Sequence, residues 1–419
     1  MCKLLREKNC NIKDVNEICD AYIVNSCSVT SDTDRKVFKL IRRLIRNNPC
    51  AVICVTGCMA QLRPQDITKI SDEVDIIVMG NERKQEIVDK LVDVLNKKNT
   101  TTTGWAVQKN VIVKPFTDSL IPTKLEEFSR TRAYVKIEDG CDAKCSYCTI
   151  CKARGPVRLR PIEECVDEIR TLAQNGCKEI VLTGIEISAY TSLAELISVV
   201  DKIDGIERIR LSSIDPFYLN KKNIDAISKS KKLMPHFHIS LQSGSSSILA
   251  KMRRKYNADT AKKNLVYLKE KFINCNLFAD IIVGFPTETE DDFYETVDFI
   301  KEIEFLHLHI FPYSKRNGTE AAAMDGQIDE SEKNKRAAIL ASIQKEIKLK
   351  LLNNAIYGNK RYKVLVETQN NKEAVGHTEE FFEVKINLEK NSCCCDLKGK
   401  IVDVTFVKEE NETIIAELV

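Results

Sequence analysis

Apolar residues come in short runs along most of the chain, separated by stretches with one apolar face. Residues 21–25 (AYIVN), 51–56 (AVICVT) and 75–79 (DIIVM) read as buried strands. After the first of them, Phe38, Ile41 and Ile45 share one face of a helix predicted over residues 33–46, which Asn47-Asn48-Pro49 stops. Strands alternating with helices predict a parallel sheet. Ligands of such sheets bind beyond the carboxyl ends of the strands, and Cys27 and Cys58 both stand at such ends.

The pattern weakens over residues 99–130, which begin with the polar run Asn99 to Gly104 and read as a linker. A longer series follows, with strands predicted at 134–137, 179–182, 208–211, 237–241, 278–283 and 307–311. Helical patterns lie between most of them. One opens at Pro161, shows Ile162, Val166, Ile169 and Ala173 on one face, and ends at Gly176. Another runs over 290–303 with Phe293, Val297 and Ile300 turned inward. Six strand–helix units fall short of the eight of a full barrel, so the expectation is a partial (βα)6 barrel. Residues 329–355 are charged and helical, and the last sixty or so residues switch to strands, as in a small β-barrel. The reading is α/β, with a Rossmann-like parallel-sheet domain over 1–98, a linker over 99–130, the partial barrel over 131–355 and the small β-barrel over 356–419.

Composition narrows the class. In 419 residues, 43% are hydrophobic and 30% charged, which describes a globular chain of two or three domains. Sixty-four basic against sixty-one acidic residues leave +3, too mild to announce nucleic acid by itself. No apolar run approaches a membrane span and the start has no signal-peptide core, so the expected compartment is reducing cytoplasm with no membrane partner. Seventeen cysteines spread along so long a chain do not suggest a secreted disulfide scaffold; clustered ones point to metal.

The clearest cluster is Cys141, Cys145 and Cys148, a C-x3-C-x2-C triplet after the first barrel strand. Three thiolates on a tight loop can hold three corners of a [4Fe–4S] cube and leave one iron open. A zinc site using Cys151 as fourth ligand, or an ordinary ferredoxin-type cluster, are the alternatives at this point.

Further segments carry a specific resemblance: AYIVNSCSVT (21–30), VICVTGCMAQ (52–61), EDGCDAKCSYC (138–148), ARGPVRLRP (153–161), KEIVLTGI (178–185), RIRLSSIDP (208–216), LQSGSSSILAKMRRKY (241–256), DIIVGFPTETEDDF (280–293) and FPYSKRNGT (311–319). The chain resembles the radical S-adenosylmethionine (SAM) methylthiotransferases, most closely the MtaB-type branch acting on transfer RNA. The resemblance implies an amino-terminal domain with an auxiliary [4Fe–4S] cluster, a central SAM-cleaving barrel and a C-terminal TRAM domain that grips tRNA. It implies a methylthio group placed on C2 of N6-threonylcarbamoyladenosine beside the anticodon. One SAM would methylate a sulfur at the auxiliary cluster and a second would give the radical that takes the C2 hydrogen. A reducing partner such as a flavodoxin or ferredoxin would supply electrons. Sister branches act on isopentenyladenosine or a ribosomal-protein aspartate. An iron–sulfur carrier or tRNA-binding module without radical chemistry is the competing class.

By that resemblance Cys141, Cys145 and Cys148 would ligate the SAM-cleaving cluster, and Cys27 and Cys58 the auxiliary one. Thr183, Gly184, Glu186, Ser212, Gln242 and Gly284 end successive barrel strands and would contact SAM, with Ser213 and Ser243 beside them. Glu186 stands where the family usually has histidine. The family's opening strand, ending Leu-Gly-Cys with the first auxiliary ligand, is absent, and Cys2 does not replace it; either the start codon is placed too late, which is the favoured expectation, or the auxiliary cluster has only two of its three ligands. Three basic groups are candidate phosphate contacts: Arg35, Lys36, Lys39, Arg42, Arg43 and Arg46; Lys152, Arg154, Arg158 and Arg160; and Lys251, Arg253, Arg254 and Lys255. Cys393-Cys394-Cys395 reads as an incidental loop.

Overall fold

The structure is a computed structural model that describes residues 1–28, 30–100, 106–117, 120, 128, 131–358, 360–388 and 396–419. The Cys393–Cys395 run lies outside them. The described residues fall into two compact units. The first comprises residues 1–121, 140–156 and 314–322, and the second 122–139, 157–313 and 323–419. The cysteine loop thus packs with the amino-terminal residues, whereas the final β-barrel packs with the residues of the central barrel.

The first unit is built on four parallel strands in the order β1 (Ala21–Ser26), β2 (Val52–Gly57), β3 (Ile76–Met79) and β4 (Lys109–Ile112). Both faces are covered, which is why β2 is apolar at nearly every position. Ile53 and Val55 pack with Ile41 and Leu44 of the helix Ser31–Asn47. Val52 and Cys54 pack on the other side with Val88 and Leu91 of the helix Ile87–Thr100. The fourth strand corrects the reading of 99–130 as linker alone. Its sequence KNVI is short and alternates exposed with half-buried residues, so it lacks the continuous apolar run that marks β1 to β3. Its place is fixed next door instead: the Gln108 backbone N–H donates to Asp75 Oδ1 at 2.7 Å.

In the second unit β5 (Arg132–Lys136), β8 (Glu179–Thr183) and β9 (Arg208–Leu211) form one parallel sheet. β10 (His236–Gln242), β11 (Asn276–Val283) and β12 (His307–Pro312) form another. Parallel bridges Ile209 to Leu233 and Ile214 to Ile239 join the two, giving the expected six-stranded partial barrel. A short antiparallel pair, β6 (Glu138–Asp139) with β7 (Arg158–Leu159), flanks the cysteine loop in sequence. Val135, Ile180, Ile209, Phe237, Ala279 and Leu308 face outward into one apolar core with the helices. Alternate residues of the same strands face the barrel interior, and many of these are polar.

The last strands, β13 (Arg361–Gln369), β14 (Glu373–Thr378), β15 (Glu383–Asn387), β16 (Ile401–Glu410) and β17 (Thr413–Leu418), close into a barrel in the order β13-β14-β15-β17-β16. Tyr362 stacks on Phe406 at 3.8 Å inside it. β14 has no apolar run to mark it in the sequence. Its sequence EAVGHT has a glycine in the middle, and a Cβ on Gly376 would lie 2.0 Å from the Leu365 carbonyl oxygen. The glycine permits close strand pairing and hides the strand from pattern reading.

Buried charges tie this barrel to the larger one. Glu179 pairs with Arg132 at 2.7 Å, Arg210 at 3.1 Å and Arg208 at 3.6 Å, and all four are buried. Arg208 donates to the carbonyls of His377 and Lys363, and Arg210 to those of Glu379 and Thr378. Arg132 also pairs with Glu367. Phe381 lies against this group, 4.7 Å from Arg210 and stacked on His236 at 4.4 Å. Burial opposes ionisation of Glu179, but the three arginines hold its carboxyl below the usual range.

Replacing Glu179 by Gln removes the shared counter-charge of three buried guanidiniums. The expected cost is about 3–5 kcal/mol, the range for breaking a buried ion pair from one side. Urea unfolding of Glu179→Gln against the parent measures it, and a loss below about 1 kcal/mol, the scale of exposed pairs, would show that water already screens these charges.

Candidate functional site

In the first unit, parallel pairing sets Ser26 beside Gly57, so Cys27 and Cys58 leave adjacent strands at matching positions. The approach is close enough to demand glycine. Gly57 has φ +99°, and a Cβ there would lie 2.1 Å from the Ser26 carbonyl oxygen. Ser26 Oγ donates to the Thr56 carbonyl at 2.6 Å and fixes the strand ends. Cys27 is exposed and Cys58 half-buried.

Two polar networks frame these thiols. Asp34 accepts from Ser28 Oγ at 2.7 Å, Arg316 Nη1 at 3.0 Å and Arg63 Nη1 at 3.2 Å. Arg316 Nη2 donates to Ser28 Oγ at 2.7 Å, so a buried guanidinium from the FPYSKRNGT segment fixes the residue after Cys27. On the other side, Asn81 Nδ2 donates to Cys58 Sγ at 3.6 Å and to the Ala153 carbonyl at 2.6 Å, while Arg154 donates to Asn81 Oδ1 at 3.2 Å. Asn81 thereby links Cys58 to the segment following the cysteine triplet. Sequence reading missed it; its one signal was its place just beyond the third strand.

The triplet loop is shaped by its backbone. Gly140 has φ +103°, with no room for a Cβ beside the Pro156 carbonyl, and the Cys141 N–H donates to the Gly155 carbonyl at 3.1 Å. A turn from the Cys148 N–H to the Cys145 carbonyl, 3.1 Å, folds the loop. Backbone N–H groups point at two sulfurs, Ala143 at Cys141 Sγ and Ile150 at Cys148 Sγ, each 3.4 Å. Residues 314–322 hold the outside: Ala321 N–H donates to the Ser146 carbonyl at 2.9 Å, and Lys152 Nζ to the Gly318 carbonyl at 2.9 Å. All three cysteines are half-buried. Three thiols on one loop with N–H donors at sulfur fit a [4Fe–4S] cube with one iron open. Cys27 and Cys58 fit as two of the ligands of another.

In the second unit, the expected SAM contacts gather at the carboxyl ends of the barrel strands. The organising group there is Glu138, which sequence reading assigned no role. Its side chain is buried, and Oε2 accepts the N–H groups of Ile185 and Glu186 at 2.8 Å each. A Cβ on Gly184 would lie 2.5 Å from that oxygen, so a side chain there would push the carboxylate out of this position. Burial pushes Glu138 up to about 7 although the two N–H donors pull it down. Glu138 Oε1 is buried without a hydrogen-bond partner among the described residues. Glu186 accepts from the Ser188 N–H at 3.3 Å, and burial, then the neighbouring Asp215, raise its carboxyl as well. Asp215 pairs with Arg254 at 2.6 Å.

The other candidates divide. Ser212 Oγ is buried and has no hydrogen-bond partner among the described residues, leaving its capacity for a ligand. Gln242 ends β10 at φ +68°, a conformation of the kind stored at functional sites. Ser243 Oγ instead meets Thr296 Oγ1 at 3.2 Å inside the fold. Gly284 has its N–H on Glu288 Oε2 at 2.7 Å, and Glu288 pairs with Arg336 at 2.6 Å, so this turn is held by protein groups. Of the basic groups, all six on the helix Ser31–Asn47 are exposed. Arg160 leaves the list of phosphate candidates: it is buried and pairs with Glu168 at 2.5 Å. Arg158 is buried too, and Arg254 is committed to Asp215.

Comparison with known proteins follows this geometry. The radical SAM superfamily profile matches residues 135–300, and that of the uncharacterized protein family UPF0004 residues 1–79. Threonylcarbamoyladenosine tRNA methylthiotransferase MtaB of Bacillus subtilis (strain 168) is 36% identical, covering 97% of this chain and 89% of its own. The enzyme of that name from Thermotoga maritima is 38% identical over 83% of this chain and 78% of its own. The tRNA-2-methylthio-N(6)-dimethylallyladenosine synthase of Clostridium novyi (strain NT) is 32% identical, over 97% and 90%. Among solved structures, the radical S-adenosylmethionine methyltransferase TsrM from Kitasatospora setae, with cobalamin and a [4Fe–4S] cluster bound, shares the fold at TM-score 0.52. It is 15% identical and the match covers 73% of this chain and 66% of that one. No helix among the described residues is long and apolar enough to cross a membrane.

The Glu138 environment has a pH consequence. Its folded pKa, about 7, lies above its ordinary 4.5, so the folded state binds the extra proton between these values. Stability from this group is therefore present at low pH and is lost as pH rises toward 7. Glu138→Gln keeps an oxygen for the two N–H donors and cannot ionise. Its denaturation midpoint is expected to fall less than the parent's between pH 4.5 and 7, and parallel pH profiles would refute the assignment.

Proposed function

The chain belongs to the radical SAM methylthiotransferases, and from that premise we propose that it methylthiolates C2 of N6-threonylcarbamoyladenosine beside the anticodon of transfer RNA. What carries the choice of base is the near-full-length match to the Bacillus subtilis enzyme named for it, at 36% identity, against 32% for the dimethylallyladenosine relative. The ARGP and FPYSKRNGT segments support the same branch, and the second of these supplies Arg316 beside Cys27's loop.

An aromatic C–H is too inert for acid–base chemistry, so the cofactors must carry the difficult step. When bound, the SAM-chelating cluster would supply the electron that cleaves SAM to a carbon radical, and the auxiliary cluster would hold the sulfur to be methylated. The chain's own residues hold and orient. Cys141, Cys145 and Cys148 would ligate three irons of the first cluster, and the Ala143 and Ile150 N–H groups would offset thiolate charge. Cys27 and Cys58 would ligate the auxiliary cluster, Asn81 holding Cys58 in place.

Glu138 sets the Thr183–Glu186 turn, whose Glu186 carboxylate suits the cationic amine of SAM's methionine part. Ser212 and Gln242 are assigned to SAM or the target base. Gly284 shapes the adenosine-side turn rather than donating its N–H. The exposed cations of the helix Ser31–Asn47 are assigned to tRNA phosphates. A low-potential carrier such as a flavodoxin or ferredoxin would deliver electrons.

Anaerobic reconstitution tests this. About eight irons per chain, two cubanes, would show the auxiliary cluster held without the family's first ligand, and about four the triplet cluster alone; deoxyadenosine released from SAM under a strong reductant is expected in either case. Cys145→Ala should reduce deoxyadenosine to background. Mass spectrometry of tRNA nucleosides should show the methylthio group on threonylcarbamoyladenosine. Normal deoxyadenosine formation by Cys145→Ala would sink the ligand assignment, and methylthiolation of isopentenyladenosine alone would sink the choice of base.

A further inference from the structure

The interior face of β10 to β12 carries a group of side chains that the reaction does not use. On their outer face these strands place Phe237, Ile239, Ala279, Ile281 and Leu308 in the apolar core. On the inner face stand His238, Asp280 and His309. Parallel register sets Asp280 directly beside His309, and His238 one pair away, opposite Phe278. His238 Nε2 lies 3.0 Å from Asp280 Oδ1, and its ring stacks on that of His309 at 5.0 Å between centroids. One donor atom from each of the three residues lies within 4.8 Å of the others, and all three residues are half-buried.

We propose that His238, Asp280 and His309 form a binding site for one divalent transition-metal ion bridging three adjacent barrel strands. Two imidazole nitrogens and a carboxylate oxygen are a donor set that borderline ions such as zinc or ferrous iron prefer. Ligand atoms about 2.0–2.2 Å from such an ion lie about 3–3.5 Å from one another. The His238–Asp280 pair already has that separation. The His309 side chain makes no hydrogen bond to any described residue, so its ring can turn to complete the set without breaking one. Among the described residues no lysine or arginine pairs with Asp280, so its charge is opposed only by an imidazole. Burial holds His309 toward its neutral form, which is the ligating one. His307 stands edge-on to His309 at 4.7 Å but falls outside the set, and serves as the control.

The test uses the full chain with clusters reconstituted and oxidised, so that the ligating thiols are occupied. Manganese(II) is the probe, because it avoids thiolates and its six-line EPR signal is lost on binding. One ion per chain is expected, displaced by zinc. Asp280→Asn and His309→Phe should each weaken binding at least about tenfold, while His307→Phe leaves it intact. His309→Phe keeps a ring for stacking on His238, and circular dichroism confirms that each variant is folded. No saturable binding up to millimolar manganese, or equal binding by parent and His309→Phe, would overturn the proposal and leave a hydrogen-bonded pair with a stacked third ring.

Discussion

Glu179 is the residue on which the second unit turns. A carboxylate taken fully out of water costs several kcal/mol unless it is paired and hydrogen-bonded. Here one such carboxylate stands among three arginines, so charge balance alone would leave a positive excess. The excess is met by Glu367 and by four backbone carbonyls, all from the terminal barrel. The arginines therefore cannot be satisfied by the six-stranded barrel alone. The terminal barrel supplies acceptors that these buried cations need, and with the apolar packing of Leu306 and Leu352 against it this joins it to the central barrel in one compact unit. The knot also closes the amino-terminal end of the strands, and the chemistry-bearing side chains gather at the opposite, carboxyl ends, where barrels carry their sites.

The first unit solves a different problem, which is to bring reactive sulfur out of a buried sheet. Parallel strands give adjacent carboxyl ends without further device, and Cys27 and Cys58 follow from that geometry. Holding them takes more. Gly57 removes a Cβ that would strike the next strand, Arg316 and Asp34 lock the residue after Cys27, and Asn81 spends one amide hydrogen on Cys58 and the other on Ala153. The same supports reach the triplet loop through Ala153 and Arg154. Residues distant in sequence thus meet around two sets of thiols within one unit.

What could be read from sequence was what periodicity and spacing encode. The six barrel strands, the helix Glu290–Ile303 and the cysteine spacings all repeat on short range. What could not be read depends on contacts between distant residues. β4 is a short strand at the edge of its sheet with no apolar run, and β14 is broken by Gly376. Arg158 and Arg160 look like a basic patch in sequence and are buried in the fold, Arg160 on Glu168. Glu138 sat inside a recognised motif, yet its role depends on two N–H groups nearly fifty residues away in the chain.

The glutamate at 186 shows how such a contact changes a functional reading. Where the family usually has histidine, this chain has a second carboxylate on the turn that Glu138 already holds. Two buried carboxylates near one another resist joint ionisation, and both are in fact raised by burial before any neighbour acts. Glu138 accepts two backbone N–H groups at 2.8 Å each, whereas Glu186 is held by the Ser188 N–H at 3.3 Å and by the Ser188 hydroxyl. An incoming cation would add to these contacts at Glu186. Arg254 lies near enough to lower it but is already bound to Asp215. A cationic amine arriving at this turn would lower the Glu186 carboxyl toward its ordinary value, an outcome that a neutral histidine at the same place would not give.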